Sequence, residues 1–276
     1  MLQDSRQRSH LGSAIYLAEL VYHNAVRSVR KSHSNALIAI LMNMLQTIIF
    51  VLAFYFMFMI LGLRGVAIRG DFLLYIMTGV FLYMTHTKTL GAVVGSEGPA
   101  SPMMQHAPMN TAIAIASAML GTLYIQVLSL FAILFIYDVA FNPFVLREIL
   151  DPMACLGMVI LSWFSGAAIG MVFLAIKPWF PTFVSIASTI YQRANMIASG
   201  KMFVANTLPP TMLLMFDWNP LFHTIDQSRG FAFVNYNPRN SDWEYALYLS
   251  LALIMIGLMG EFYTRKHASA SWSARR

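Results

Sequence analysis

Two stripes of hydrogen-bonding side chains are the strongest chemical signal in this chain. Asn43, Gln46, Thr47, Phe50, Phe54 and Phe58 recur at a spacing that puts them on one narrow helical face. The amide and hydroxyl groups occupy one half of that face and aromatic rings the other. Ser185, Ser188, Thr189, Gln192, Asn195 and Ser199 make a second polar face, with Arg193 at its edge. Both stripes lie inside apolar runs, where polar groups turn away from lipid toward other helices or a water-filled path. Helix-packing contacts would satisfy the serines and threonines alone. Gln192 with Arg193 asks for more, because a buried charge marks a path or meets an acidic partner such as Asp138. Asn43, Thr47, Phe50, Phe54, Gln192 and Arg193 are therefore the candidate path residues.

Other chemistry is sparse. Gly91, Gly95 and Gly98 form a glycine-rich GAVVGSEG segment. A phosphate-binding loop needs Lys-Ser/Thr after its last glycine, and Pro99-Ala100 follows here. His223 and Asp226 could form a base pair of the acyltransferase kind, yet no supporting motif accompanies them, and a structural role is the simpler reading. The seven histidines make no His-x-x-x-His or His/Cys cluster, so no metal site is expected. Nucleic-acid binding has no support beyond a basic terminus. Catalytic residues: none.

The elements that must carry these stripes follow from composition. Only 11% of the 276 residues are charged and 58% are hydrophobic, against about 25% charged in a soluble domain. An integral membrane protein is expected. Collagen-like, disordered and disulfide-framework classes are excluded, the last because Cys155 is the single cysteine. Continuous apolar runs predict helices rather than barrel strands. Six spans are expected: Ala36 to Leu63, Phe72 to about Thr89, Asn110 to Tyr137, Met153 to Ile176, Thr182 to Ser199, and Tyr245 to Tyr263. Lys177-Pro178-Trp179-Phe180-Pro181 breaks the fourth from the fifth.

Six spans put both termini on one side. With the termini cytoplasmic, eleven Lys and Arg fall inside and six outside, with Arg193 within a span. That bias favours cytoplasmic termini. No secretory leader is expected, since the first apolar run starts late and is too long for one. Before it, Leu11, Ile15, Ala18, Tyr22, Ala25, Val26 and Val29 recur at helical spacing, which predicts an amphipathic interface helix within 1–35. Between Gly200 and Trp243, the apolar stretches Met202 to Val204 and Met212 to Phe216 are too short to span. They read as re-entrant or interfacial segments. The polar stretch from Thr85 to Met109 reads as a cytoplasmic docking loop.

This arrangement resembles the ABC-2 type exporter permeases. The residues that carry the likeness are Ser199-Gly200-Lys201-Met202-Phe203, Leu208-Pro209-Pro210, Trp218-Asn219-Pro220-Leu221-Phe222-His223 and Arg229. They are similar to that family's segment before the last span, and within the family to its capsular polysaccharide and O-antigen export branch. The motif covers about thirty residues, while the span arrangement covers the whole chain.

The resemblance implies a fold of one all-α transmembrane domain over 1–276: an interface helix (1–35), helices one to five (36–199), a re-entrant periplasmic gate segment (200–243), a sixth helix (244–264) and a cytoplasmic tail (265–276). It implies a homodimer in the bacterial inner membrane that exports a lipid-linked polysaccharide. ATP and Mg would be bound by a separate ABC ATPase subunit, so this chain would hold no cofactor and be no enzyme. Periplasmic export partners would complete the system. By position, Gly95, Ser96, Glu97, Gly98 and Pro99 would couple to the ATPase. Pro209, Pro210, Trp218, Asn219, Pro220 and His223 would form the periplasmic gate. Two other readings stay open at this point: an ABC-2 permease for a drug or small lipid, and a membrane-embedded enzyme acting on lipid-linked sugars.

Overall fold

A computed structural model describes residues 16, 18–26, 36–62, 68–98 and 111–267. All regular structure among them is helical. In chain order the helices are α1 (18–26), α2 (Ala36–Ile60), α3 (Phe72–Val94), α4 (Thr111–Ala140), α5 (Val145–Glu148), α6 (Pro152–Ile176), α7 (Pro181–Ala198), a 3-10 turn (Ala205–Thr207), α8 (Pro210–Phe216), α9 (Pro220–Ala232) and α10 (Trp243–His267). Among the described residues, four helices are long and apolar enough to cross a membrane: Leu37–Ile60, Thr111–Ala140, Pro152–Ile176 and Trp243–His267. The chain is a membrane protein of the all-α class.

α1 falls within the expected interface helix. Leu11, Ile15 and Val29, which helped to define that helix, lie outside the described residues, as does the tail after His267.

α6 is the hub, packed against α3, α9 and α10. Its contact faces are built from Ser162, Ser165, Gly166, Ala167, Ala168 and Gly170. Small residues let backbones approach, which is how helices associate where no hydrophobic drive operates between them. A Cβ on Gly166 would collide with the carbonyl oxygen of His86, and one on Gly170 would sit 2.9 Å from the Cβ of Val93. Across the other face, a Cβ on Gly257 of α10 would lie 2.8 Å from that of Met171. Ser162 Oγ donates to the carbonyl of Leu82 at 2.7 Å, adding a hydrogen bond to the seam.

α3 corrects an expectation. The segment from Thr85 onward is not a loop: the helix continues to Val94, so Lys88 sits in a helix and not in a cytoplasmic connection. Thr85, His86, Thr87 and Thr89 are buried among neighbouring helices. A helix screened by others can hold such groups without meeting lipid, so local polarity misplaced its end. Its start is well determined. The Asp71 carboxylate caps it, accepting from Leu74 N at 2.7 Å, and also accepts from Tyr137 Oη at 2.8 Å and Asn142 Nδ2 at 3.0 Å. Those bonds tie the start of α3 to the end of α4. Gly95 to Gly98 follow the helix; Pro99 and 101–110 lie outside the described residues.

Prolines punctuate the rest as their missing N–H predicts, with Pro152, Pro181, Pro210 and Pro220 each in the first turn of a helix.

Candidate functional site

The site grows from the polar face of α2. Asn43 is buried, and its amide reaches two neighbouring helices. Nδ2 donates to Ser129 Oγ of α4 at 2.8 Å; Oδ1 accepts from Gln126 Nε2 of α4 at 3.2 Å and from Lys88 Nζ of α3. Thr47, also buried, donates back to the Asn43 carbonyl at 2.8 Å. The polar half of the stripe is thus a three-helix junction. Gln46 is exposed.

One to three turns further along α2 the stripe turns aromatic. Phe54 and Phe58 are buried and Phe50 half-buried, so these rings face the bundle and not lipid. Phe50 stacks on Tyr83 of α3 with centroids 6.4 Å apart. Into the space between them comes Lys201, from the turn after α7. Its Nζ lies 3.4 Å from the Tyr83 ring centroid, 4.8 Å from that of Phe54 and 5.9 Å from that of Phe50. Lys201 is 3% exposed, and its ammonium has no hydrogen-bond partner. Three ring faces stand where water or a carboxylate would otherwise solvate this amine, and burial pulls its pKa down to about 7.

The polar residues of α7, which is not among the four helices long and apolar enough to cross a membrane, divide. Gln192 is half-buried, and its carbonyl accepts from Tyr83 Oη at 3.3 Å, so Tyr83 joins α7 to the aromatic half of α2. Arg193 does not join them. It is exposed, and among the described residues it makes no hydrogen bond or ion pair. The pairing with Asp138 is absent as well; Asp138 accepts from Leu146 N at 3.2 Å. Ser185, Thr189 and Arg193, four residues apart, share an exposed face. Ser188 and Asn195 look inward.

Residues 199–242 are held far more firmly. Gly200, at φ +74°, turns the chain out of α7. The Arg229 guanidinium of α9, 1% exposed, then donates to the carbonyls of Gly200 at 2.9 Å, Lys201 at 2.7 Å and Phe203 at 2.6 Å. It also lies over the Tyr75 ring at 4.2 Å. Asn219 caps α9, accepting from Leu221 N at 3.0 Å, while its Nδ2 donates to Asn195 Oδ1 at 2.7 Å and to the Ala198 carbonyl at 3.0 Å. His223 Nδ1 accepts from Asp242 N at 2.9 Å, so Nε2 carries the proton and donates to the Asp217 carbonyl at 2.6 Å. Asp226 has other partners: it accepts from Tyr236 Oη and from Ser241 Oγ. Burial, reinforced by the Asp226 carboxylate, pushes the Tyr236 phenol above its ordinary value and keeps it a donor. His223 and Asp226 therefore form no base pair.

Pro209 and Pro210 start α8, which has no buried residue and presents Leu214, Met215 and the nearby Trp218 outward. Glu97 and Gly98 are half-buried beyond α3. Ser96 Oγ donates to the Val93 carbonyl at 2.7 Å, and Gly95 N closes the helix onto Gly91.

Sequence reasoning overlooked three contributors. Lys201 stood inside the quoted motif but was not read as a charge bound for the α2 stripe. Lys88 was read as a loop residue. His86 was passed over, yet its ring is buried between Ser165 Oγ at 2.9 Å and Tyr191 Oη at 3.1 Å, linking α3, α6 and α7. In each case the signal was a basic side chain in a stretch with no nearby acid. No group of three or more metal-ligating side chains occurs among the described residues.

No family model matches the chain, and no curated protein matches it.

Proposed function

We propose that the chain is the permease subunit of an ATP-driven exporter that moves a lipid-linked polysaccharide across a bacterial inner membrane. In this reading α3 and α7 join the four apolar helices as spans, both termini are cytoplasmic, and residues 200–243 form a periplasmic gate. Two copies pair, and a separate ATPase docks at Gly95 to Pro99. The observation that carries the reading is the exposed polar face of α7. Ser185, Thr189 and Arg193 at membrane depth would be costly against lipid, so that face belongs against a second copy or an aqueous conduit. A glycan is a chain of hydroxyls with apolar sugar faces. Exchangeable hydrogen-bond partners and rings suit its passage, and a guanidinium suits its anionic groups.

The test is purification of the tagged chain from native membranes. An ATPase carrying a Walker-type phosphate loop should come with it in fixed ratio, and Glu97→Lys should reduce either its recovery or glycan export. A chain that purifies without any ATPase, in membranes that still export glycan normally when it is deleted, would sink the reading.

A further inference from the structure

An apolar crevice of about 280 Å³ opens between α3, α4 and α6, at the end of the bundle that carries α5. Thr78 and Ser228 hold the only hydroxyls on its wall. Its wall follows α3 from Leu74 to Leu82, about 12 Å at 1.5 Å per residue. Its rim is open, with Phe131 53% and Met153 78% exposed. Between helices that cross a membrane, the medium at that rim is acyl chain, and an unfilled apolar wall forfeits its dispersion contacts.

A second feature stands beside the mouth. Arg147 of α5 is exposed, makes no ion pair among the described residues, and holds its guanidinium over the Phe144 ring at 5.1 Å. In the same stretch of chain Phe141, Phe144 and Leu150 are exposed, as are the acids Glu148 and Asp151, neither of which pairs with Arg147. An unpaired guanidinium among exposed apolar side chains is the composition of a surface at the lipid headgroup level.

We propose that the crevice binds one acyl chain of an anionic phospholipid whose phosphate meets Arg147. The site is wired to the segment 199–242. Leu150 N donates to the Ala232 carbonyl at 3.2 Å and Asp151 N to that of Phe231 at 2.9 Å, which ties the rim to the end of α9. Cys155 Sγ, on the wall, contacts the Ser228 carbonyl at 3.6 Å. The inference needs only the membrane location of the chain and stands apart from the exporter reading.

Native mass spectrometry of the full chain in detergent, with phosphatidylglycerol or phosphatidylcholine added, tests it. One phosphatidylglycerol should be retained per chain. Thr78→Phe, which fills the crevice, should lower retention about tenfold. Arg147→Gln should abolish the preference for phosphatidylglycerol and leave phosphatidylcholine retention unchanged. In a chain whose five native tryptophans are replaced by phenylalanine, Met153→Trp places a reporter at the exposed rim, and one brominated-chain phosphatidylglycerol per chain should quench it more than it quenches Tyr248→Trp on the exposed face of α10. Equal quenching at the two positions overturns the proposal even if Thr78→Phe fails to fold. Displacement of the lipid by inorganic phosphate, or unchanged retention in a folded Thr78→Phe, overturns it too.

Discussion

Arg229 and Lys201 are neighbours, both buried, and solvated in opposite ways. Arg229 gives its two terminal nitrogens to three backbone carbonyls, one of them that of Lys201 itself, and leaves only Nε without a partner. Lys201 gives its ammonium only to rings, leaving three donors without acceptors. A planar, five-donor fork can satisfy the irregular backbone after α7; a point charge on a flexible stem cannot. The first is a fixed joint. The second has no hydrogen bond to hold it and rests on ring faces alone.

The largest effect should come from Arg229→Met. It orphans the carbonyls of Gly200, Lys201 and Phe203 in a buried turn, at about 1–3 kcal/mol each where no water can replace the donor. Little folded protein should survive extraction, read as the monodisperse fraction in size-exclusion chromatography. A normal yield would mean that the clamp is not the joint described here.

Next is Tyr236→Phe, which removes a donor from buried Asp226 and should cost about 1–3 kcal/mol, seen as a lower midpoint of thermal unfolding. This pair also has a pH signature. The folded phenol titrates above its unfolded value of about 10, so its contribution is complete below about pH 10 and is lost as pH rises through the folded value. Stability should fall in alkaline solution, and Tyr236→Phe should lack that part of the fall.

Lys201→Met sharpens the contrast from the other side. Replacing an unpartnered buried cation by an apolar side chain of similar length should change stability by no more than about 1 kcal/mol in the unfavourable direction, and could raise it. A loss comparable to that of Arg229→Met would show the rings to be as strong an anchor as the carbonyls. In export measurements, a changed rate with an unchanged unfolding midpoint is the expected result for a contact that rests on ring faces alone.

The smallest structural effect belongs to Arg193→Gln. With no partner and an exposed position, it should shift stability by no more than about 0.5 kcal/mol, while under the proposed exporter reading glycan export falls in intact cells. Normal export would remove Arg193 from the path. Phe54→Ala should instead cost about 3–5 kcal/mol of stability, because its ring is buried in the packed interior.

Composition and punctuation were enough to read the class and most of the helix boundaries. Long apolar runs must be helices in lipid, because no water is there to satisfy an open backbone. Prolines could only stand in first turns or breaks, so the limits of α6 and α7 were legible from local chemistry, whereas α9 over Pro220–Ala232 was not read as a helix at all. The polar stripe of α2 was legible too, since its period is a property of one helix. What the sequence could not decide is the partner of each polar group. Arg193 looked buried and is exposed; Lys201 looked like a loop residue and is enclosed by Phe50, Phe54 and Tyr83; the second helix was expected to give way to loop between Thr85 and Thr89 and runs on to Val94. Hydropathy depends on a residue and its chain neighbours, whereas burial in a bundle depends on which helices screen it. Only the tertiary packing around α6 determines that.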